Sequence, residues 1–224
     1  MLRQFVTACA AACLLGTLAP AAMAQEDWDG LSKVEAKRLD ALYLLPGADF
    51  RSYNKVILDP TEVAFRKDWR RDRNTSSATA NRFSEGDMRK AIDLAKGVFE
   101  ESLQKAYTDA GYTVVTEPGP DVLRVRTAVI NMDVAAPDMM TAGRSVSFSK
   151  EAGEATLVIE VRDSESGQLL GRALDRREAG DSMPYNRNST TNRADFSRLF
   201  RTWAKFSAEG LTKLKATSPI GGAP

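Results

Sequence analysis

The sequence predicts an α+β fold, a mostly antiparallel sheet with two long helices packed on one face. Three observations carry that expectation. The order of segments is strand, strand, helix, several strands, helix, the order of a sheet with segregated helices instead of a βαβ repeat. Ala155, Leu157, Ile159 and Val161 alternate with Thr156, Val158, Glu160 and Arg162, the period of a half-buried strand. Two long segments carry apolar residues at intervals of three and four, the period of an amphipathic helix.

Each element follows from its local chemistry. Residues 25–37 are polar and mixed, and read as a loose lead-in to one domain over 38–216. Residues 38–45 place Leu39, Ala41, Tyr43 and Leu45 at period two, a strand that Pro46-Gly47 ends. Residues 53–65 form a second extended segment, which Pro60 restricts to an edge or bulged strand. Residues 66–81 are first charged and then rich in Ser, Thr, Asn and Ala, without a period, and read as a loop. Ser84 then suits an N-cap, with Asp87 completing a capping-box variant. Met88, Ile92, Ala95, Phe99, Leu103 and Ala106 form the core stripe of this helix, and Gly111 stops it.

Residues 112–116 predict a short strand and 122–134 a long one. In the long one Leu123, Val125, Thr127 and Val129 share one face, with Arg124 and Arg126 on the other. Asp163 to Gly167 is a turn, and residues 169–177 return as the hairpin partner of 155–161. Residues 180–192 read as a loop. Residues 193–215 predict the last helix, faced by Phe196, Leu199, Phe200, Trp203, Phe206, Gly210, Leu211 and Leu214. The tail, residues 217–224, is expected to fray.

Residues 1–24 predict a secretory signal peptide. Arg3 gives the positive start, residues 5–19 the apolar stretch, and Ala22-Met23-Ala24 the small residues before cleavage between Ala24 and Gln25. The apolar run is short of the roughly 20 residues of a membrane span. The expected address is the bacterial periplasm, with no transmembrane span in the mature chain. The alternative is a lipid-anchored envelope protein. Cys9 and Cys13 follow small residues of the lipid-box type, but too early for an apolar core to precede them. Cleavage removes both, the only cysteines of the chain, so the mature protein is expected to hold neither thiol nor disulfide.

Composition removes several mechanisms. The 224 residues include no histidine, which excludes Ser-His-Asp and Cys-His catalysis and histidine-ligated metals. Lys and Arg number 31 against 30 Asp and Glu, so net charge names no polyanion, and an exported neutral chain is not expected to bind nucleic acid. Neither a cofactor nor a metal is called for. Ser-x-x-Lys occurs at Ser52–Lys55, Ser102–Lys105 and Ser147–Lys150, without the supporting elements of penicillin-binding enzymes. The Asp163–Gly167 turn resembles a calcium loop only faintly, with its glycine misplaced and Leu174 where a terminal Glu belongs. Asn74 and Asn188 head glycosylation-type triplets, which a bacterial chain leaves unused. Met139-Met140 could be an adaptable contact or a core insertion.

One surface signal remains. Between Phe65 and Arg73 lie five cations, Arg66, Lys67, Arg70, Arg71 and Arg73, with Asp68, Asp72 and the ring of Trp69. This cluster is the candidate partner surface, suited to an envelope protein or glycan, and its removal is expected to abolish capture without unfolding the domain. The opposing reading is a solvated loop with Trp69 tucked onto the core. The functional expectation is a non-catalytic envelope interaction or accessory protein. The alternatives are a periplasmic hydrolase using carboxylates or a Ser-Lys pair, and a small-ligand carrier.

Several segments in order resemble the bacterial domain-of-unknown-function family 3313, exported and often lipid-anchored envelope proteins. They are Tyr43 through Pro46-Gly47-Ala48-Asp49-Phe50, then residues 53–60 and Val63-Ala64-Phe65. Next come residues 121–126, Glu154 to Asp163 with Gly167-Gln168-Leu169-Leu170, and Phe200 to Trp203. The resemblance spans most of the mature chain and implies an envelope address and one α+β domain. It brings no activity and no catalytic residues. The chain departs from the family's pattern in lacking a credible lipid box.

Overall fold

The computed structural model describes residues 29–75, 82–134, 148–186 and 189–221. The signal peptide and its cleavage site, Met139-Met140 and Asn188 lie outside these. In chain order the elements are β1 (Ser32–Val34), β2 (Ala41–Leu44), β3 (Lys55–Leu58), β4 (Glu62–Phe65), α1 (Trp69–Thr75) and α2 (Glu85–Asp109). There follow β5 (Thr113–Val114), β6 (Val122–Val134), β7 (Phe148–Asp163), β8 (Leu169–Asn186) and α3 (Ser189–Thr217). The class is α+β, with eight strands in one sheet ordered β1-β2-β8-β7-β6-β3-β5, and β4 also paired with β6.

The sheet is mixed, which corrects the expectation of a mostly antiparallel one. β1–β2, β2–β8, β6–β7 and β7–β8 are antiparallel, but β3 pairs in parallel with both β5 and β6, and β4 in parallel with β6. The reason is the crossover. After β4 the chain passes through α1 and α2 before it returns to the sheet, and a return through a helix brings strands back in the same direction. Pro60 divides one extended segment in two. β3 runs beside Val122–Val125 and β4 beside Ala128–Met132, with the proline between them where no ladder bond is asked of it.

Four further segments differ from what the sequence predicts. Residues 69–75 form α1 where a loop was expected. Only Trp69 of α1 is buried, so one anchor holds it and leaves no stripe to read. β8 continues to Asn186 and α3 begins at Ser189, where a loop over 180–192 was expected. The polar end of β8 has no alternation of its own and is a strand because it pairs with the start of β7. At the two ends, β1 lies within the segment read as a lead-in, and Leu31 beside it is fully buried. Within the segment expected to fray, Ile220 is tied down: Gly47 N–H donates to the Ile220 carbonyl at 2.9 Å, and Ile220 N–H to that of Ala48 at 2.8 Å.

The helices cover one face of the sheet. α2 starts at the expected capping box, with Ser84 Oγ accepting from Asp87 N–H at 3.1 Å and Asp87 Oδ2 from Ser84 N–H at 3.0 Å. Phe99, Leu103 and Tyr107 of α2 meet Phe196, Phe200 and Trp203 of α3 in one core with Leu123, Val125, Val129, Leu157 and Ala173. The Phe99 and Phe200 rings meet at 5.4 Å, edge to face, and the buried Tyr107 and Ser207 hydroxyls bond at 2.7 Å. Asp175, also buried, accepts from Trp203 Nε1 at 2.6 Å and from Arg177 Nε. Arg177 in turn lies 5.0 Å from the Phe206 ring, with Arg38 5.2 Å from it. Among the described residues no helix is long and apolar enough to cross a membrane.

Candidate functional site

The cationic cluster of residues 66–73 is tied into the fold at several points. Trp69 is 3% exposed, tilted by 30° against Phe65 at 4.5 Å and edge-on at 5.2 Å to Phe83, and its Nε1 donates to Asp133 Oδ1 at 3.1 Å. Arg66 reaches the other oxygen of Asp133 at 2.9 Å and Asp72 at 3.1 Å, and bonds to those two carboxylates raise its pKa further. Arg70 pairs with Glu85, and Arg71 with Asp68 and Asp72. Burial lowers the pKa of Arg73, against the pull of Asp133. Only Lys67 and Arg71 of the six predicted residues are exposed. Removing 66–73 would take Trp69 from the core and strip Asp133 of its donors, so the segment is part of the folded unit and not a detachable surface.

The Ser-Lys motifs come apart. Ser102 Oγ donates to the Val98 carbonyl while Lys105 pairs with Asp109 on the outer face of α2. Ser52 is exposed, and Lys55 pairs with Asp121 at 3.1 Å. The third pair, Ser147 with Lys150, lies outside the described side chains. Asp163 is a turn carboxylate: Ser166 N–H, Ser166 Oγ and Tyr53 Oη all donate to it. Burial works to raise its pKa, but these bonds outweigh burial and hold it below the usual value. Asn74 is used within the chain, accepting from Phe83 N–H and donating to the Phe83 carbonyl. Among the described residues no group of three or more acidic residues or cysteines could hold a metal ion.

The concentration of chemistry lies elsewhere, on the sheet face that the helices leave uncovered. There β6 presents Arg124, Arg126, Ala128 and Ile130; β7 presents Arg162, Glu160, Val158 and Thr156; β8 presents Arg172, Leu174 and Arg176. All are half-buried or exposed. Asp59, Pro60, Arg124, Arg126 and Arg162 line an open depression of about 620 Å³. Arg124 and Arg162 are direct partners across the β6–β7 ladder, and Arg126 stands two residues along on the same face.

The pairings here are specific. Arg124 Nη1 donates to Asp59 Oδ1 at 3.0 Å, and Arg126 lies 3.8 Å from Asp59 and 3.4 Å from Glu62. Glu160 accepts from Arg172 at 2.6 Å and from Arg162 at 3.1 Å. Burial would raise the Glu160 pKa, but bonds from Arg172 and Arg162 bring it below its ordinary value, so Glu160 stays a fixed anion at neutral pH. Arg162 Nη1 donates to the Gly167 carbonyl, and its buried Nε has no hydrogen-bond partner.

Sequence reading placed Arg124 and Arg126 on the side away from the core but gave them no role. The signal present was two arginines two apart in an otherwise apolar strand. The third, Arg162, joins them only through the register, which no local pattern encodes.

The family model described as "Protein of unknown function (DUF3313)" matches residues 21–206. No curated protein matches. Solved structures similar to this chain include a Xanthomonas campestris protein assigned to the DUF330 family model, at 11% identity and TM-score 0.43, covering 76% of this chain and 88% of that one. Another is the PelC dodecamer of Paraburkholderia phytofirmans, at 13% identity and TM-score 0.36, covering 78% and 96%. A minor lipoprotein of Acinetobacter baumannii matches at 13% identity and TM-score 0.31, covering 76% and 98%. No residue role passes from them to this chain.

Proposed function

The chain belongs to the DUF3313 family of proteins of unknown function, and from that premise we propose that it is a non-catalytic binding component of the bacterial cell envelope. The observation that carries the reading is the two-sided sheet. One face is closed by α2 and α3 over a filled core, and the other bears a depression walled by Arg124, Arg126 and Arg162. A depression lined by guanidiniums and one ion-paired carboxylate suits recognition. Arginine cannot give up its proton near neutral pH, so it binds and orients but does not act as a general base. The export address rests on the reading of residues 1–24 as a signal peptide. The partner is a component of the envelope, and the surface that meets it is the open sheet face instead of the start of α1.

The test is capture in the native compartment. The full chain, tagged at its C-terminus, is cross-linked in the intact envelope of its host and purified, and its companions are identified by mass spectrometry. One strongly enriched companion is expected, lost when Arg124→Ala and Arg126→Ala are combined and kept with Lys67→Ala and Arg71→Ala. Absence of any enriched companion, or loss only with the Lys67 and Arg71 changes, would contradict the reading.

A further inference from the structure

We propose that the depression between Arg124, Arg126 and Arg162 is a binding site for a phosphate-type oxyanion. The inference rests on the binding role proposed above and names the chemistry of what the open face meets.

Like charges held opposite one another weaken a sheet. Here two arginines face each other across β6–β7, and a third stands beside them. Asp59 is the one carboxylate among the residues that line the depression itself. Asp59 pairs with Arg124 and, at 3.8 Å, with Arg126. Glu62 meets Arg126 from the rim, where it is 73% exposed. Glu160 is shared between Arg162 and Arg172.

These partners leave donors to spare. A guanidinium has five, arranged in a planar fork that matches an oxyanion edge. Arg124 donates to Asp59 and Arg126 to Glu62, one hydrogen bond each, and Arg162 keeps a buried Nε without an acceptor. Three guanidiniums from two adjacent strands suit a tetrahedral anion, which presents several oxygen edges. A carboxylate presents one. Asp59 and Glu160 hold Arg124 and Arg162 in place beforehand, so little ordering remains to be done on binding. The opening to solvent leaves room for whatever the phosphate is attached to.

A second depression, lined by Arg51, Asn54, Tyr112, Thr212 and Lys215, lacks this character. Lys215 is taken by the Tyr53 carbonyl and Asn54 Oδ1, and the site lies at the C-terminal ends of α2 and α3, where helix dipoles repel an anion.

The test uses the exported, processed chain in calorimetric titrations with inorganic phosphate, against chloride at equal ionic strength. In parallel the chain is floated with phosphatidylglycerol vesicles and with phosphatidylcholine vesicles. Saturable one-to-one phosphate binding is expected, weakened at least tenfold by Arg126→Ala and by Arg124→Ala and unchanged by Arg71→Ala. Arg126 is half-exposed, so its variant is expected to fold, and a thermal unfolding midpoint verifies that. Arg124→Lys, which keeps the charge and loses the fork, is expected to fall between wild type and Arg124→Ala. Phosphate binding identifies a free or soluble phosphate as sufficient. Flotation with phosphatidylglycerol alone, sensitive to the same variants, identifies a headgroup as the source. No binding to either, or binding indifferent to both alanine variants, overturns the site. Envelope capture that still depends on Arg124 and Arg126 in that event would leave the binding role standing and remove only the oxyanion.

Discussion

Trp203→Ala is expected to cost about 3–5 kcal/mol of folding stability, the range for emptying a large aromatic site in a core. Trp203 is fully buried, packed between Phe200 and the sheet, with its ring 6.2 Å from that of Phe200. The loss goes beyond volume. Trp203 Nε1 donates to the buried Asp175, which alanine would leave with Arg177 as its remaining donor. An acceptor deprived of a donor in a dry site costs more than the bond itself contributes. Trp203→Phe separates the two effects, because it keeps most of the volume and removes the N–H, with an expected loss of roughly 1–3 kcal/mol. Urea unfolding followed by circular dichroism measures both. A loss under about 1 kcal/mol for Trp203→Ala would mean that α3 does not anchor the core.

Gly153→Ala is the backbone counterpart. Gly153 sits at a bulge in β7 with φ +142°, a conformation that L side chains rarely adopt. A Cβ there would fall 1.8 Å from the carbonyl oxygen of Asp133 and 2.8 Å from its carbon, both backbone atoms of β6. No rotamer relieves such a contact, so β6 and β7 must separate locally. Strain of this kind costs about 1–3 kcal/mol before any displacement of β6 is counted. The damage reaches α1 as well, because the Asp133 side chain holds both Trp69 and Arg66. The expected signature is lower stability together with faster hydrogen exchange at β6–β7 and in α1. Gly97→Ala in α2 is the control. Nothing lies within 4 Å of its added Cβ, and alanine there is expected to stabilise the helix by about 0.5–1 kcal/mol. Equal effects at the two positions would contradict the bulge argument.

The residues that shape these two sites differ in how far they could be foreseen. Phe196, Phe200 and Trp203 recur at helical spacing and are buried as read, because a helix face is set by a few adjacent turns. Ser84 and Asp87 close their capping box for the same local reason. The parallel pairing of β3 and β4 with β6 was hidden, since direction is decided by a crossover of more than 50 residues and not by the strands themselves. α1 was hidden because a single buried tryptophan makes no period. The charged cluster around it was legible as charge, but its purpose depends on Asp133, which the fold brings from 64 residues away. The open face shows the same limit. Arg124 and Arg126 were visible as outward residues, whereas their convergence with Arg162 exists only in the β6–β7 register.

On the function proposed above, this protein meets its partner through the open sheet face. Site-specific photocross-linking in living cells tests it most directly. A photoreactive side chain is introduced singly at Ala128 and Val158, on that face, and at Lys96 and Lys205, on the outer surfaces of α2 and α3. Adducts are expected from Ala128 and Val158, with none from Lys96 or Lys205. Adducts from the helix positions alone would place the functional surface on the opposite side of the molecule and contradict the account.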